Sequence, residues 1–196
     1  LCKNKFITMK CRSKFIKVDR YDTDFCPIYK EDSINGLLYK ILVCPKCGYS
    51  FSTDFSSSFP PGTKAILTEC ITKKWSPFDF GGERSLKEAT RTYKLAAYTA
   101  TLKKEKYVII AGLFLRIAWL YRLQEKSQEQ RFLNLAYSNY YESFSRENYR
   151  GTQISEVRLL YLLGELARRT DREETAIHYF SKVIESRKKN SRNKAY

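Results

Sequence analysis

The sequence predicts an α+β protein: a small zinc-ribbon-like β module followed by an all-α, tetratricopeptide-like helical domain. Three observations carry this reading. A Cys44-Pro45-Lys46-Cys47-Gly48 motif sits among short apolar runs in residues 1–55. The stretch Ser56-Ser57-Ser58-Phe59-Pro60-Pro61-Gly62 then interrupts the chain, because Pro restricts the backbone and removes N–H donors. From Glu83 onward Pro is absent and the apolar residues recur at helical spacing.

Lys14-Phe15-Ile16-Lys17-Val18 alternates polar and apolar residues and reads as a strand. Leu37 to Val43 is a second apolar run, entered through the turn pair Asn35-Gly36. Residues 1–55 are therefore expected to form the β module, 56–82 a linker with a short helix from Lys64 to about Lys74, and 83–196 the helical domain. Gly81-Gly82 marks a break before it. Helices are expected over about 84–104, 107–124, 128–149, 154–169 and 171–188. Leu160, Leu163, Gly164 and Ala167 share one helix, Thr170-Asp171 makes a turn and cap, and Ala176 and Phe180 follow on the next. Small residues at 164 and 176 let that pair approach closely, with Leu163 and Phe180 filling the space between. This spacing resembles a tetratricopeptide repeat. The preceding pair, Ile117, Ala118 and Tyr121 with Ala136 and Tyr140, fits only as a degenerate repeat, so an irregular bundle stays open as the alternative.

The cysteines carry the most specific chemistry. Two thiolates three apart on a tight turn reach one Zn²⁺, and a Gly after the second relieves the turn so that N–H groups point at sulfur. Cys47 is followed four residues later by Phe51, and Cys2 four residues later by Phe6. Cys2 therefore reads as the second Cys of another knuckle, whose first Cys is expected just before Leu1. The expected site is Cys2, Cys44, Cys47 and that residue; Cys26 and Cys11 are candidate substitutes for the fourth ligand, but each is isolated and reads as a core or surface thiol first. Four thiolates leave no place for water, so the zinc is expected to be structural, and a domain of about 55 residues needs such a staple. Cys70, in an apolar run, is expected to pack in the interior; Asp19, Asp22 and Asp24 read as turn residues and caps. A redox use of Cys44 and Cys47 is weak, since no βαβ pattern surrounds them.

Arg20-Tyr21-Asp22-Thr23-Asp24-Phe25-Cys26-Pro27-Ile28-Tyr29, Val43-Cys44-Pro45-Lys46-Cys47-Gly48-Tyr49-Ser50 and Tyr93-Lys94-Leu95-Ala96 together resemble a bacterial family known as domain of unknown function 2225. The resemblance covers nearly the whole chain. It implies a two-knuckle N-terminal module, its first knuckle at and just before Cys2, and a repeat-like helical half; it implies no activity.

If Gly164 holds the small-residue position of a repeat, the groove-facing positions are Arg158, Tyr161, Glu165 and Arg168, and placing Ala118 likewise adds Trp119 and Arg122. Arg and aromatic residues suit an extended acidic or C-terminal peptide, because guanidinium forks pair with carboxylates. Phe132, Tyr140 and Phe144 recur every four residues and read as core rather than as a base-stacking platform. The single histidine, His178, lies one turn after Glu174 and reads as an exposed pair. No phosphate loop, GxGxxG or GxSxG occurs, and no enzyme is expected.

The apolar stretch from Val108 to Tyr121 is broken by Arg116 and is short of a membrane span, so a buried helix and no membrane partner are expected. Six cysteines without a targeting segment point to the cytoplasm. With 36 Lys+Arg against 21 Asp+Glu the net charge is +15, spread along the chain and densest in the tail Arg187, Lys188, Lys189, Arg192 and Lys194. The expected function is a cytoplasmic adaptor binding a protein or peptide partner through the helical groove, with no small-molecule substrate evident. The alternative is a nucleic-acid-binding protein using the ribbon and the diffuse basic surface.

Overall fold

The structure, a computed structural model, describes residues 1–192, with side chains through Arg187. Lys194 of the basic tail lies outside the described residues.

The N-terminal part is built from two small ribbons. β1 (Val18–Tyr21) pairs antiparallel with β2 (Pro27–Tyr29), and β3 (Leu42–Val43) pairs antiparallel with β4 (Ser50–Phe51). The strand expected over residues 14–18 is instead a 3-10 turn, Ser13–Phe15, and only Val18 enters β1. Phe15 is largely exposed, so the alternation there has no core face to serve. The second apolar run divides for a local reason. The Asn35 side chain accepts the Leu37 N–H at 2.9 Å and caps a 3-10 turn over Gly36–Tyr39, which leaves only Leu42–Val43 extended. Pro27 opens β2, a position where its missing N–H is tolerated.

Six helices follow: α1 (Thr63–Cys70), α2 (Leu86–Lys103), α3 (Tyr107–Arg122), α4 (Glu129–Ser145), α5 (Glu156–Arg169) and α6 (Glu173–Arg192). Ser85 accepts the Glu88 N–H while the Glu88 carboxylate accepts the Ser85 N–H, a reciprocal cap that starts α2 where Gly81-Gly82 ends. From α2 to α6 each helix packs on the next. α3 is buried nearly all round, as its apolar composition requires, and lies between α2 and α4. A Cβ at Gly164 would stand 2.9 Å from the Phe180 ring, so the missing side chain is what lets α5 and α6 meet. Phe132 stacks on Tyr121 at 5.4 Å and Tyr140 is buried, so the aromatic row of α4 belongs to the core.

The β ribbons and the helices share one hydrophobic core, in which Cys26, Leu37, Ile41 and Val43 join Tyr93, Ala96 and the α3 side chains. Arg84, buried at the start of the helical part, donates to the carbonyl oxygens of Ile41 at 2.7 Å and Leu38 at 3.1 Å. The segment joining the two parts is also fastened: Lys103 and Glu105 form a buried ion pair, and the pair bonds the carbonyl and N–H of Ser56. α1, within that segment, packs on α2.

The β1–β2 turn is the deepest of these attachments. Asp24 is fully buried; its Oδ2 accepts the Trp119 indole N–H at 2.9 Å and Arg122 Nη2 at 2.7 Å. Asp22 pairs with Arg122 and Arg169, each at 2.9 Å or less, and Thr23 donates to Glu165 at 2.5 Å. Phe25, at φ +66, is held in the left-handed region with Arg158 over its ring at 4.4 Å and Tyr161 5.3 Å away. A left-handed conformation at a bulky residue persists only where its surroundings dictate it. Burial disfavours the charged form of Asp22, but the Thr23 N–H, Arg169 and Arg122 outweigh it and hold its pKa below the ordinary value. In Glu165 burial is likewise outweighed, by hydrogen bonds from Arg168, Thr23 and Arg169.

Because the folded pKa of both groups is depressed, their contribution is complete above the unfolded value and is lost as pH falls through the folded one. The urea midpoint should therefore drop as pH is lowered from about 5 to about 3, and the Asp22→Asn, Glu165→Gln double variant should show a shallower drop. Asp24→Ala, which leaves buried partners unpaired, should cost about 3–5 kcal/mol at neutral pH by the same measurement. A pH profile identical in wild type and double variant would contradict this account.

Candidate metal centre

The tight turn between β3 and β4 presents Cys44 and Cys47. The Gly48 N–H reaches the Cys44 carbonyl at 2.9 Å, and the Cys44 N–H reaches the Tyr49 carbonyl at 3.0 Å. Gly48 is left-handed, at φ +71, and a Cβ there would lie 2.5 Å from the Trp75 ring. Trp75 in turn donates its indole N–H to the Pro45 carbonyl at 2.8 Å. The knuckle is thus clamped by an aromatic ring that only Gly admits. Nothing in the spacing of the cysteines pointed to Trp75, which lies beyond α1.

Cys2 joins this turn from the other end of the module. Its Sγ lies 3.6 Å from that of Cys44, and the sulfurs of Cys2, Cys44 and Cys47 all lie within 4.8 Å of one another. Sulfurs at about 2.3 Å from a tetrahedral zinc stand roughly 3.8 Å apart, so the set needs only small adjustments to hold a metal ion. The local geometry at Cys2 repeats that at Cys47. The following residue, Lys3 in one case and Gly48 in the other, has positive φ (55° and 71°). The N–H two residues on, of Asn4 and Tyr49, is then turned toward sulfur. Phe6 and Phe51, each four residues beyond a cysteine, line one cavity of about 420 Å³ beside the thiols.

Burial is the largest influence on Cys47 and pushes its thiol up to about 11 in the absence of metal. At Cys2 burial acts in the same sense, but the Asn4 N–H and contacts with the other two thiols prevail and lower the pKa. A thiolate donor set of this kind selects soft or borderline metals such as zinc over calcium or magnesium.

Cys26, the alternative fourth ligand, is placed elsewhere. It is buried in the shared core with its N–H on Asp24 Oδ1 at 3.1 Å, and burial together with Asp24 pushes its thiol up to about 12. Among the described residues the converging set is Cys2, Cys44 and Cys47. Cys11 is half-buried and outside it. Cys70, expected in the interior, is half-exposed at the end of α1 beside Tyr98.

A family model described as an uncharacterized protein conserved in bacteria (DUF2225) matches residues 1–196. The chain belongs to the DUF2225 family. No curated protein and no solved structure matches it.

The six groove positions of this DUF2225 chain fall into two sets. Trp119, Arg122 and Glu165 are engaged from within, by Asp24, Asp22 and Thr23 of the β1–β2 turn. Arg158 and Arg168 are exposed and Tyr161 is half-exposed, around the ring of Phe25 and the carboxylate of Glu165. An acidic turn of the same chain thus occupies part of the face that repeat spacing marks out. Asp22 and Asp24, read from the sequence as turn residues, do close the turn, through Thr23 N–H and Cys26 N–H, but their remaining lone pairs serve this attachment. Arg169, which takes Asp22 and Glu165 together, was not singled out by repeat spacing. His178 is exposed on α6 with its ring against Tyr179. No helix among the described residues is long and apolar enough to cross a membrane.

Cobalt added to the reduced chain should give the charge-transfer and d–d absorption of thiolate coordination, and Cys47→Ser should abolish it. Removing the metal should lower stability by about 2 kcal/mol or more, a fall in Tm of roughly 4–8 °C for a chain of this size. A Tm indifferent to both chelator and Cys47→Ser would contradict a structural metal.

Proposed function

We propose that the chain is a cytoplasmic adaptor: a structural zinc ion held by Cys2, Cys44 and Cys47 fixes the N-terminal turns against a tetratricopeptide-like helical face that receives a protein or peptide partner. The observation that carries this reading is the seating of Asp22–Phe25 on α3 and α5. There an acidic turn is taken up by guanidinium forks and aromatic rings, the side-chain chemistry by which such faces bind acidic peptides. Its outer rim of Arg158, Tyr161 and Arg168 continues to solvent and offers the same chemistry to a second acidic segment. The role is binding rather than catalysis.

The test is fluorescence anisotropy of the zinc-loaded chain with labelled extended peptides, acidic and basic, and with duplex DNA across a salt series. Acidic peptides should bind preferentially, and the Arg158→Glu, Arg168→Glu variant should weaken them at least about tenfold, the scale expected when two charge-assisted contacts are reversed. No preference for acidic peptides would overturn the reading. Submicromolar DNA binding at about 150 mM salt, with a log–log slope near −0.9 per phosphate contacted, would replace it with the nucleic-acid alternative.

A further inference from the structure

Where the N-terminal turns meet α3 and α5, they leave a cavity of about 720 Å³. That volume lies in the range of small-molecule sites, which favour seams between structural units. Its apolar walls include Trp119, Ile109, Leu115 and Leu162.

Arg116 projects from the middle of α3, the one charged residue between Tyr107 and Tyr121. Its Nη1 donates to the Gly112 carbonyl one turn back, at 2.9 Å. No carboxylate of the described residues comes within 4.0 Å of its nitrogens. A guanidinium has five N–H donors, and a half-buried one usually spends them on a carboxylate or phosphate. Two of the three acids lining the cavity are committed, Asp24 to Trp119 and Arg122, Glu105 to Lys103 and Ser56. Asp54, on the exposed rim, bonds only weakly to the Ser52 hydroxyl at 3.5 Å. The field of Arg116 also reaches Lys40. That field is the main reason that the pKa of Lys40 is lowered, burial adding to the effect and Asp54 opposing it. Tyr140 of α4 also lines the cavity, with its hydroxyl on the Gly112 side. The hydroxyl of fully buried Tyr93, within electrostatic reach of Arg116, has no hydrogen-bond partner among the described residues. Gly112 completes the arrangement, because a Cβ there would lie 2.9 Å from Arg116 Nη1.

We infer that this cavity binds a small organic anion, its carboxylate or phosphate group on Arg116 and its apolar body against Trp119 and Leu162. Opposite charge at Arg116 would relieve the repulsion with Lys40, and the apolar walls would reject a bare inorganic ion. The cavity shares Phe25 and Arg158 with the peptide face, but Arg116, on α3, belongs to the cavity and not to the α5 rim, so Arg116→Gln should leave peptide affinity unchanged.

Calorimetric titration of the zinc-loaded chain with 1-naphthoate, 1-naphthyl phosphate and inorganic phosphate tests it. One of the two aryl anions should bind one to one with a Kd of about 0.1 mM or tighter, and which one does so identifies the headgroup. Arg116→Gln should weaken it at least about tenfold. Gly112→Ala keeps every charge and suits a helix, so it should fold even if Arg116→Gln does not; by displacing the guanidinium it should weaken binding several-fold. Absence of saturation by either aryl anion, equal affinity for inorganic phosphate, or binding indifferent to both variants would overturn the inference.

Discussion

A carboxylate withdrawn wholly from water must be paired or the fold loses several kcal/mol, and Asp24 is such a group. Its partners, Trp119 and Arg122, lie on α3, about a hundred residues away in the chain. Satisfying it therefore fixes more than a turn. It draws the β1–β2 hairpin onto the centre of the helical stack, aligns Asp22 with Arg122 and Arg169, and puts Phe25 against Arg158 and Tyr161. The left-handed backbone at Phe25 follows from that seating. The polar network also has a specificity that apolar packing lacks, since each donor accepts one register of the turn.

The thiol cluster sits at the other edge of the module and meets a different need. Ribbons of two to four residues have little core of their own. They are stabilised by borrowing one: Leu37, Ile41 and Val43 pack into the helical interior, and Arg84 ties off the carbonyls of the turn between them. Cys44 and Cys47 are buried on the tip that this packing leaves, under Trp75, and Cys2 returns to them with matching backbone geometry. Convergence of the three sulfurs thus depends on the ring that excludes any side chain at position 48 as much as on the cysteine spacing.

Seating the module on α3 has a further structural consequence. The hairpin covers the Arg122 end of the helix, while the fastened segment around Ser56 covers the end near Glu105. Between those two attachments the helix borders the open cavity. Arg116 falls in that interval, so the one charged residue in an otherwise apolar run stands half-buried on the cavity wall and not in the core.

The sequence by itself determined the elements whose signals are local. Helical periodicity and the loss of proline located the five long helices to within a few residues, and the small residue at Gly164 announced the close approach of Phe180. The Cys-x-x-Cys spacing and the matching Phe6 and Phe51 identified Cys2 as a companion of Cys44 and Cys47. Tertiary structure alone decided what spacing cannot encode. Asn35 turned an apolar run into a 3-10 cap, and Cys26 went into the core because its hairpin is anchored by Asp24. Repeat spacing named Trp119, Arg122 and Glu165 as a binding surface, but whether a surface is open depends on what packs over it. Here a segment distant in sequence, carrying the complementary charge, occupies that part of it.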